Sequence, residues 1–180
     1  MKQEETLILV NEYDEMVGTM EKIRVHQLGL LHRAFSVFLL NHKYDMLLQL
    51  RAHDKYHSGG LWTNACCSHP RPGESTIDAA HRRLQEELGT DCPLQELFTF
   101  TYRVKLPNGL IEYELDHVFI GFHEGPFMPN QKEIDEIKFF SLDDIQQQIN
   151  MHPHQFTYWF RLAFPEIKNN MNEIQLMVSP

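Results

Sequence analysis

Cys67 and His69 stand two residues apart in Leu61-Trp62-Thr63-Asn64-Ala65-Cys66-Cys67-Ser68-His69-Pro70. A thiol can give or take a proton, and nearby cations lower its pKa. Further on, Glu112, Glu114 and Asp116 alternate along Ile111–Phe122. On an extended strand every second side chain shares a face, so the three carboxyl groups point the same way. Eleven histidines is a high count for 180 residues, and histidine is the commonest metal ligand. Each has a plainer reading. A lone cysteine is more often a small buried hydrophobe. A single histidine is more often a surface or hydrogen-bonded residue, and the interval from His26 to His32 is no helical repeat. Arg82 with Glu86 and Arg83 with Glu87 lie one helical turn apart, the pattern of a solvated helix face carrying ion pairs. In Phe156-Thr157-Tyr158-Trp159-Phe160, the two phenylalanines one turn apart read as core, while Trp159 points elsewhere and can roof a pocket.

The elements that must position these groups follow from patterning. Leu7–Val10, the polar turn Asn11–Asp14 and Met16–Met20 read as strand, turn and strand. Phe35–Leu40 and Met46–Leu50 flank the polar turn Asn41–Asp45 as a second hairpin. Phe98, Phe100, Tyr102, Val104 and Leu106 alternate with polar residues up to Pro107-Asn108-Gly109, a tight-turn signal, and Ile111–Phe122 returns. One helix, Thr76–Leu88, opens on Ser75 with Asp78 and closes at Gly89. Its apolar stripe is Ile77, Ala80, Leu84 and Leu88. Phe139-Phe140 leads as a strand into a helix capped around Ser141, and Gln155–Phe164 reads as a further helix stopped by Pro165. The expected fold is one α+β domain over residues 1–180, its mixed sheet mostly antiparallel with helices against it. Composition agrees: 42% of residues are hydrophobic and 23% charged, ordinary for a globular domain. The formal charge of −9 argues against general nucleic-acid binding. No apolar run approaches a membrane span. The polar start Met1-Lys2-Gln3-Glu4-Glu5 lacks a signal-peptide apolar region. Three cysteines, two of them adjacent, make no disulfide framework. A cytoplasmic protein, monomeric or weakly dimeric, is the expectation.

Ser68, Glu74, Arg82 and Glu86-Glu87-Leu88-Gly89 fall in the spacing of the Nudix box, with Ser68 at the glycine position and Arg83 where the family carries a glutamate. Loss of that carboxylate speaks against Nudix hydrolysis. Taken with Trp62-Thr63-Asn64 and Cys67-Ser68-His69-Pro70, the chain resembles the type I isopentenyl-diphosphate isomerases from about His26 to Trp159. The resemblance implies a Nudix-like fold and isomerisation of isopentenyl diphosphate to dimethylallyl diphosphate, an allylic shift through a carbocation. It implies Cys67 and Glu114 as the proton-transfer pair, and Tyr102 and Trp159 as further active-site positions. An indole face stabilises a desolvated cation by roughly 1–2 kcal/mol. It implies His26, His32, His69, Glu112 and Glu114 around one divalent ion, Mn²⁺, Mg²⁺ or Zn²⁺. It also implies Lys22, Arg51, Lys55 and Arg83 on the diphosphate, with Glu87 holding a bridging Mg²⁺. For Lys22 and Lys55 the plainer reading is solvent-exposed charge. Two alternatives compete: a pyrophosphohydrolase, and a catalytically dead binding module of the same fold.

Overall fold

A computed structural model describes residues 5–55 and 57–177, with only the backbone of Met177; the polar start Met1–Glu4 lies outside the described residues. The organising strand is β3 (His32–Leu40), buried without interruption from Ala34 to Leu40. Such a run, apolar on both faces, demands cover on both sides. The period of two supplies it. Phe38 and Leu40 enter one core with Val118, Ile120, Phe160, Phe164 and Ile167. Phe35, Val37 and Leu39 enter another with Phe119, Ala80, Leu84 and Leu88.

β1 (Thr6–Val10) and β2 (Met16–Glu21) form the expected hairpin, and β1 touches β3 at Leu9 opposite His32. β8 (Ile111–Phe122) runs parallel to β3, pairing Glu114 with His32 and Phe122 with Leu40. β7 (Leu94–Lys105) returns antiparallel to β8, with Tyr102 opposite Glu114. β6 (Cys66–Ser68) pairs antiparallel with β3, placing Cys67 opposite Ser36. The sheet is therefore mixed and mostly antiparallel, β3 with β8 being its parallel pair.

Several boundaries differ from the expectation. The second hairpin meets only at Leu40–Met46. Beyond that point β4 (Met46–Arg51) leaves to pair with β9 (Ile134–Phe140) and with β5 (Trp62–Thr63). Both of its strands are apolar on each face, so each gains more from a longer partner than from the other. β7 starts at Leu94 because a bulge between Glu96 and Phe98 breaks the alternation. β9 reaches back to Ile134, well before Phe139. A short helix α1 (Lys22–Leu28) follows β2, capped by the Glu21 carboxylate, which accepts from the Ile23 and Arg24 amides, and closed by Gly29 at φ 62°. Helix α2 (Thr76–Leu88) has the expected bounds and cap, but Glu87 on its presumed solvent face is buried.

The largest departure is α4 (Tyr158–Asn169), which carries Pro165 inside it. Residues Pro153–Gln155 form a separate 3₁₀ turn, and α3 (Leu142–Met151) precedes them. A mid-helix proline costs about 3 kcal/mol. Phe160, Phe164 and Ile167 lie on one stripe at 0% exposure. Each such burial is worth about 1.5–3 kcal/mol, so the stripe carries the helix through the proline. A last helix, α5 (Met171–Met177), follows.

Candidate active site

Glu21 capping α1 turns Lys22 and His26 inward one helical turn apart, and Gly29 then redirects the chain into β3, whose first residue is His32. His26 Nδ1 donates to the Lys22 carbonyl at 2.8 Å and His32 Nδ1 to the Leu30 carbonyl at 2.9 Å. A carbonyl only accepts, so both rings carry a proton on Nδ1, and Nε2 is the atom each would turn to a metal. His69, just beyond β6, brings Nε2 to 3.1 Å from Glu114 Oε1, and His32 Nε2 lies 3.4 Å from the same oxygen. Donor atoms of His26, His32, His69 and Glu114 all fall within 4.8 Å of one another, and all four residues are buried. Ligands about 2.0–2.2 Å from one ion stand no more than about 4.4 Å apart, so a small inward movement of these side chains would close the cluster on a divalent metal. His32 Nε2 is buried without a hydrogen bond, a costly arrangement unless a metal takes the lone pair. Glu112 is drawn to the other side, gathering with His26 and His57.

Charge in the cluster is polarised. Burial alone would raise the Glu114 carboxyl, but the His32 and His69 rings outweigh it and hold Glu114 well below the usual range. Burial and the Glu114 charge push Glu112 well above it. They do the same to Asp116, which accepts from Ser36 Oγ at 2.7 Å. His26 falls to about 4, mainly through burial. His69 is raised, because its bond to Glu114 and the nearby Glu5 carboxylate outweigh burial. Tyr102 Oη donates to Glu114 Oε2 at 2.6 Å, as their opposed places on β7 and β8 require.

Of these groups, Ser36, His69, Tyr102, Glu112 and Glu114 line a cavity of about 760 Å³. Cys67, Glu112, Glu114, Tyr102 and Trp159 all face it, which joins the predicted thiol, carboxylates and aromatics in one space. Arg51 crosses behind the thiol. Its guanidinium lies 3.6 Å from Cys67 Sγ and 5.3 Å over the Trp159 ring. Even so, burial pushes the Cys67 thiol up to about 12, and Arg51 offsets this only in part. The expectation that nearby cations would lower this pKa is therefore reversed. Trp159 is also core, at 3% exposure, and its Nε1 donates to Asn64 Oδ1 at 3.2 Å.

The cavity also carries cations. Lys22, Lys55, Arg71, Arg82 and Arg83 line it. Lys22 pairs with Glu5 at 2.8 Å, Lys55 with Glu133, and Arg83 with Glu86 at 2.7 Å and with Glu87. Lys22 and Lys55 thus face the site rather than open solvent. Glu87 does not line the cavity; it lies behind Arg83 and receives Gln49 Nε2 at 3.3 Å. Sequence reasoning passed over His57, Glu5 and Glu133, all three of them lining residues. Glu5 lies just before β1, His57 in the loop after β4 and Glu133 in the segment before β9, and no motif singles them out.

Residues 30–161 match the NUDIX domain family. A protein of Pectobacterium atrosepticum named isopentenyl-diphosphate Delta-isomerase is 51% identical over 161 residues, covering 89% of this chain and 90% of that one. One of Serratia proteamaculans with the same name is 47% identical, covering 94% and 95%. Among solved structures, a Deinococcus radiodurans protein superposes with a TM-score of 0.69 at 19% identity, covering 82% of this chain and 90% of that one. A MutT protein from Methanosarcina mazei gives 0.65 at 18% identity, covering 78% and 94%; both confirm the fold. Most of the chain, including every residue from His32 to Trp159 placed in the site above, lies inside these matches, and the chain belongs to the Nudix family and, within it, to the isopentenyl-diphosphate Delta-isomerases.

Proposed function

We propose that the chain converts isopentenyl diphosphate to dimethylallyl diphosphate, with Cys67 and Glu114 as the proton-transfer pair. The observation that carries the assignment of roles is Glu114. It is held ionised between two histidines and a tyrosine, and it faces the same cavity as Cys67. The reaction adds a proton to the terminal alkene carbon, giving a tertiary carbocation. A proton then leaves the carbon on the other side of the cation, so the molecular formula is unchanged. One group must deliver the first proton and another accept the second. Cys67 enters as a protonated thiol and Glu114 as a carboxylate, which suits a relay working in both directions. His26, His32, His69 and Glu114 would hold a divalent ion, Mn²⁺, Mg²⁺ or Zn²⁺, which would make a carboxyl group it touches a stronger acid. Glu112 completes the carboxylates on that wall.

The Trp159 and Tyr102 rings both line the cavity and are the aromatic groups available to stabilise a cation there. Lys22, Arg51, Lys55 and Arg83 hold the diphosphate. Glu87, buried behind Arg83 and paired with it, would hold a diphosphate-bound Mg²⁺ only once Arg83 swings aside onto the phosphate. The test is NMR of isopentenyl diphosphate with the protein and Mg²⁺ in deuterated water. Wild type is expected to give deuterium-labelled dimethylallyl diphosphate, while Cys67→Ala and Glu114→Gln lose at least about a hundredfold in rate, as removal of a general acid or base does. Full activity in Cys67→Ala would sink the residue assignment. Release of phosphate without a bond shift would sink the reaction.

A further inference from the structure

Glu133 stands just before β9, and its carboxylate lies between two cations that come from different elements. Oε2 accepts from Lys55 Nζ in the loop after β4, and Oε1 is 3.8 Å from Arg83 Nη2 on α2. All three side chains line the cavity, with those of Lys55 and Glu133 about a quarter exposed. The backbone beneath them is held on both sides. The Ala52 amide donates to the Glu133 carbonyl at 2.9 Å, and the Lys55 amide donates to the Ala52 carbonyl at 3.1 Å. On the other side the Glu133 amide donates to the Asn130 carbonyl, and the Asn130 amide to the Glu87 carbonyl at the end of α2, both at 2.8 Å. Glu86 and Glu87, the other acids on Arg83, follow it by three and four residues on one helix. They travel with the arginine, whereas Glu133 bridges two elements.

We propose that Glu133 is a displaceable counter-anion of the diphosphate seat. It holds Lys55 and Arg83 in the free protein, yields them to the diphosphate on binding, and takes them back as the product leaves. A carboxylate with one oxygen toward each cation meets them as an edge of a phosphate group would. Ion pairs this exposed are weak. A phosphate monoester carries about −1.5 to −2 charges at neutral pH, so a diphosphate outcompetes a single carboxylate. Because the backbone is pinned, only the Glu133 side chain has to turn away. Its displacement subtracts from the affinity for the diphosphate. The subtraction is the same for substrate and product, which differ only in where the double bond lies. Binding is thus weakened uniformly, which keeps the shared diphosphate from trapping the product. The inference rests on the diphosphate seat proposed above and deepens it.

Inorganic pyrophosphate with Mg²⁺, titrated by calorimetry, reads the seat without turnover. Glutamine keeps the size of Glu133 and removes its charge. Glu133→Gln is expected to bind pyrophosphate at least about threefold more tightly than wild type, and the gain should be at least about halved in the Lys55→Met background, as coupled neighbours require. The KM for isopentenyl diphosphate is expected to fall in Glu133→Gln as well. Unchanged or weaker pyrophosphate binding by Glu133→Gln overturns the counter-anion, as does a gain of full size in Lys55→Met or a rise in KM. The last would mean that Glu133 presents Lys55 to the substrate instead of withholding it. If Lys55→Met itself binds pyrophosphate as tightly as wild type, the diphosphate seat is wrong and the counter-anion falls with it. Weaker binding by Lys55→Met without tighter binding by Glu133→Gln counts against the counter-anion alone.

Discussion

Cys67 is a protonated acid at neutral pH, because burial and the nearby Glu87 and Glu114 charges outweigh Arg51 and set its pKa at about 12. Alkylation of Cys67 in metal-free protein is therefore expected to keep rising with pH past 9, the ordinary thiol value. Mass spectrometry of iodoacetamide-treated protein checks this, and a plateau below that pH would count against it. Glu74 supplies a second titration. Its hydrogen bonds to Arg82, at 2.7 and 2.9 Å, hold its pKa below 4.5. A depressed carboxyl stabilises the fold above its unfolded value and loses that contribution as pH falls through the folded one. Urea unfolding of Glu74→Gln should show lower stability than wild type near neutrality and a smaller further loss below pH 4.5. At this scale the sequence was informative where spacing carries chemistry. Cys67 and His69 stand in a segment that the family resemblance singles out, while Glu114 lies on an alternating strand of a common kind and its role comes from the resemblance alone. His57 is not singled out at all, since its direction depends on where Arg51 reaches in three dimensions. Glu87 misled for the same reason: helical spacing assigns a face but does not say what covers it.

Among the elements, the join that matters most runs through Asn64. Its amide donates to the carbonyls of Val37 at 3.1 Å and Cys66 at 2.6 Å. Its oxygen accepts from Thr63 Oγ1 at 2.8 Å and from the Trp159 indole at 3.2 Å. One side chain thus ties β3, the β5–β6 corner and α4 together, and it fixes the peptide before Cys67 relative to Trp159. Asn64→Leu leaves buried partners unsatisfied at about 1–3 kcal/mol each. A loss of more than about 2 kcal/mol in urea unfolding is expected. Intrinsic tryptophan fluorescence should shift as the indole loses its acceptor; a variant within experimental error of wild type would refute the role. Element legibility followed the same divide. Thr76–Leu88 has local signals at both ends, a capping serine and a glycine, and Ile111–Phe122 has a tight turn at its start. The end of α4 is not legible in that way: Pro165 is a local stop signal overruled by Phe160, Phe164 and Ile167. The parting of β3 from β4 likewise depends on partners distant in sequence.

Across the whole molecule, the metal cluster draws on α1, β3, the end of β6 and β8, segments spread from residue 26 to residue 114. An ion that binds only the folded chain stabilises it by about 2.7 kcal/mol at a free concentration a hundred times its Kd. For a domain of this size that is roughly 5–10 °C in Tm. Calorimetry with and without chelator should show this drop, and His69→Ala should show a smaller one. An unchanged Tm on chelation would argue that no ion bridges these segments. The aspect of the global fold that patterning missed is the parallel alignment of β3 and β8, which no local signal encodes because it joins strands separated by two-fifths of the chain.

That alignment has a consequence for motion. β3 is bonded along both edges and covered on both faces, so its amides can meet solvent only when the domain comes apart. Native-state hydrogen exchange should place them among the slowest in the chain. His32 begins that strand, and Cys67 and Glu114 are laddered to it. The reacting end of the cavity is in effect cast in one piece. Lys55 and His57 belong instead to the loop after β4, tied down through the Arg51 bonds to the Ser58 and His57 carbonyls, and exchange there should outpace that of β3.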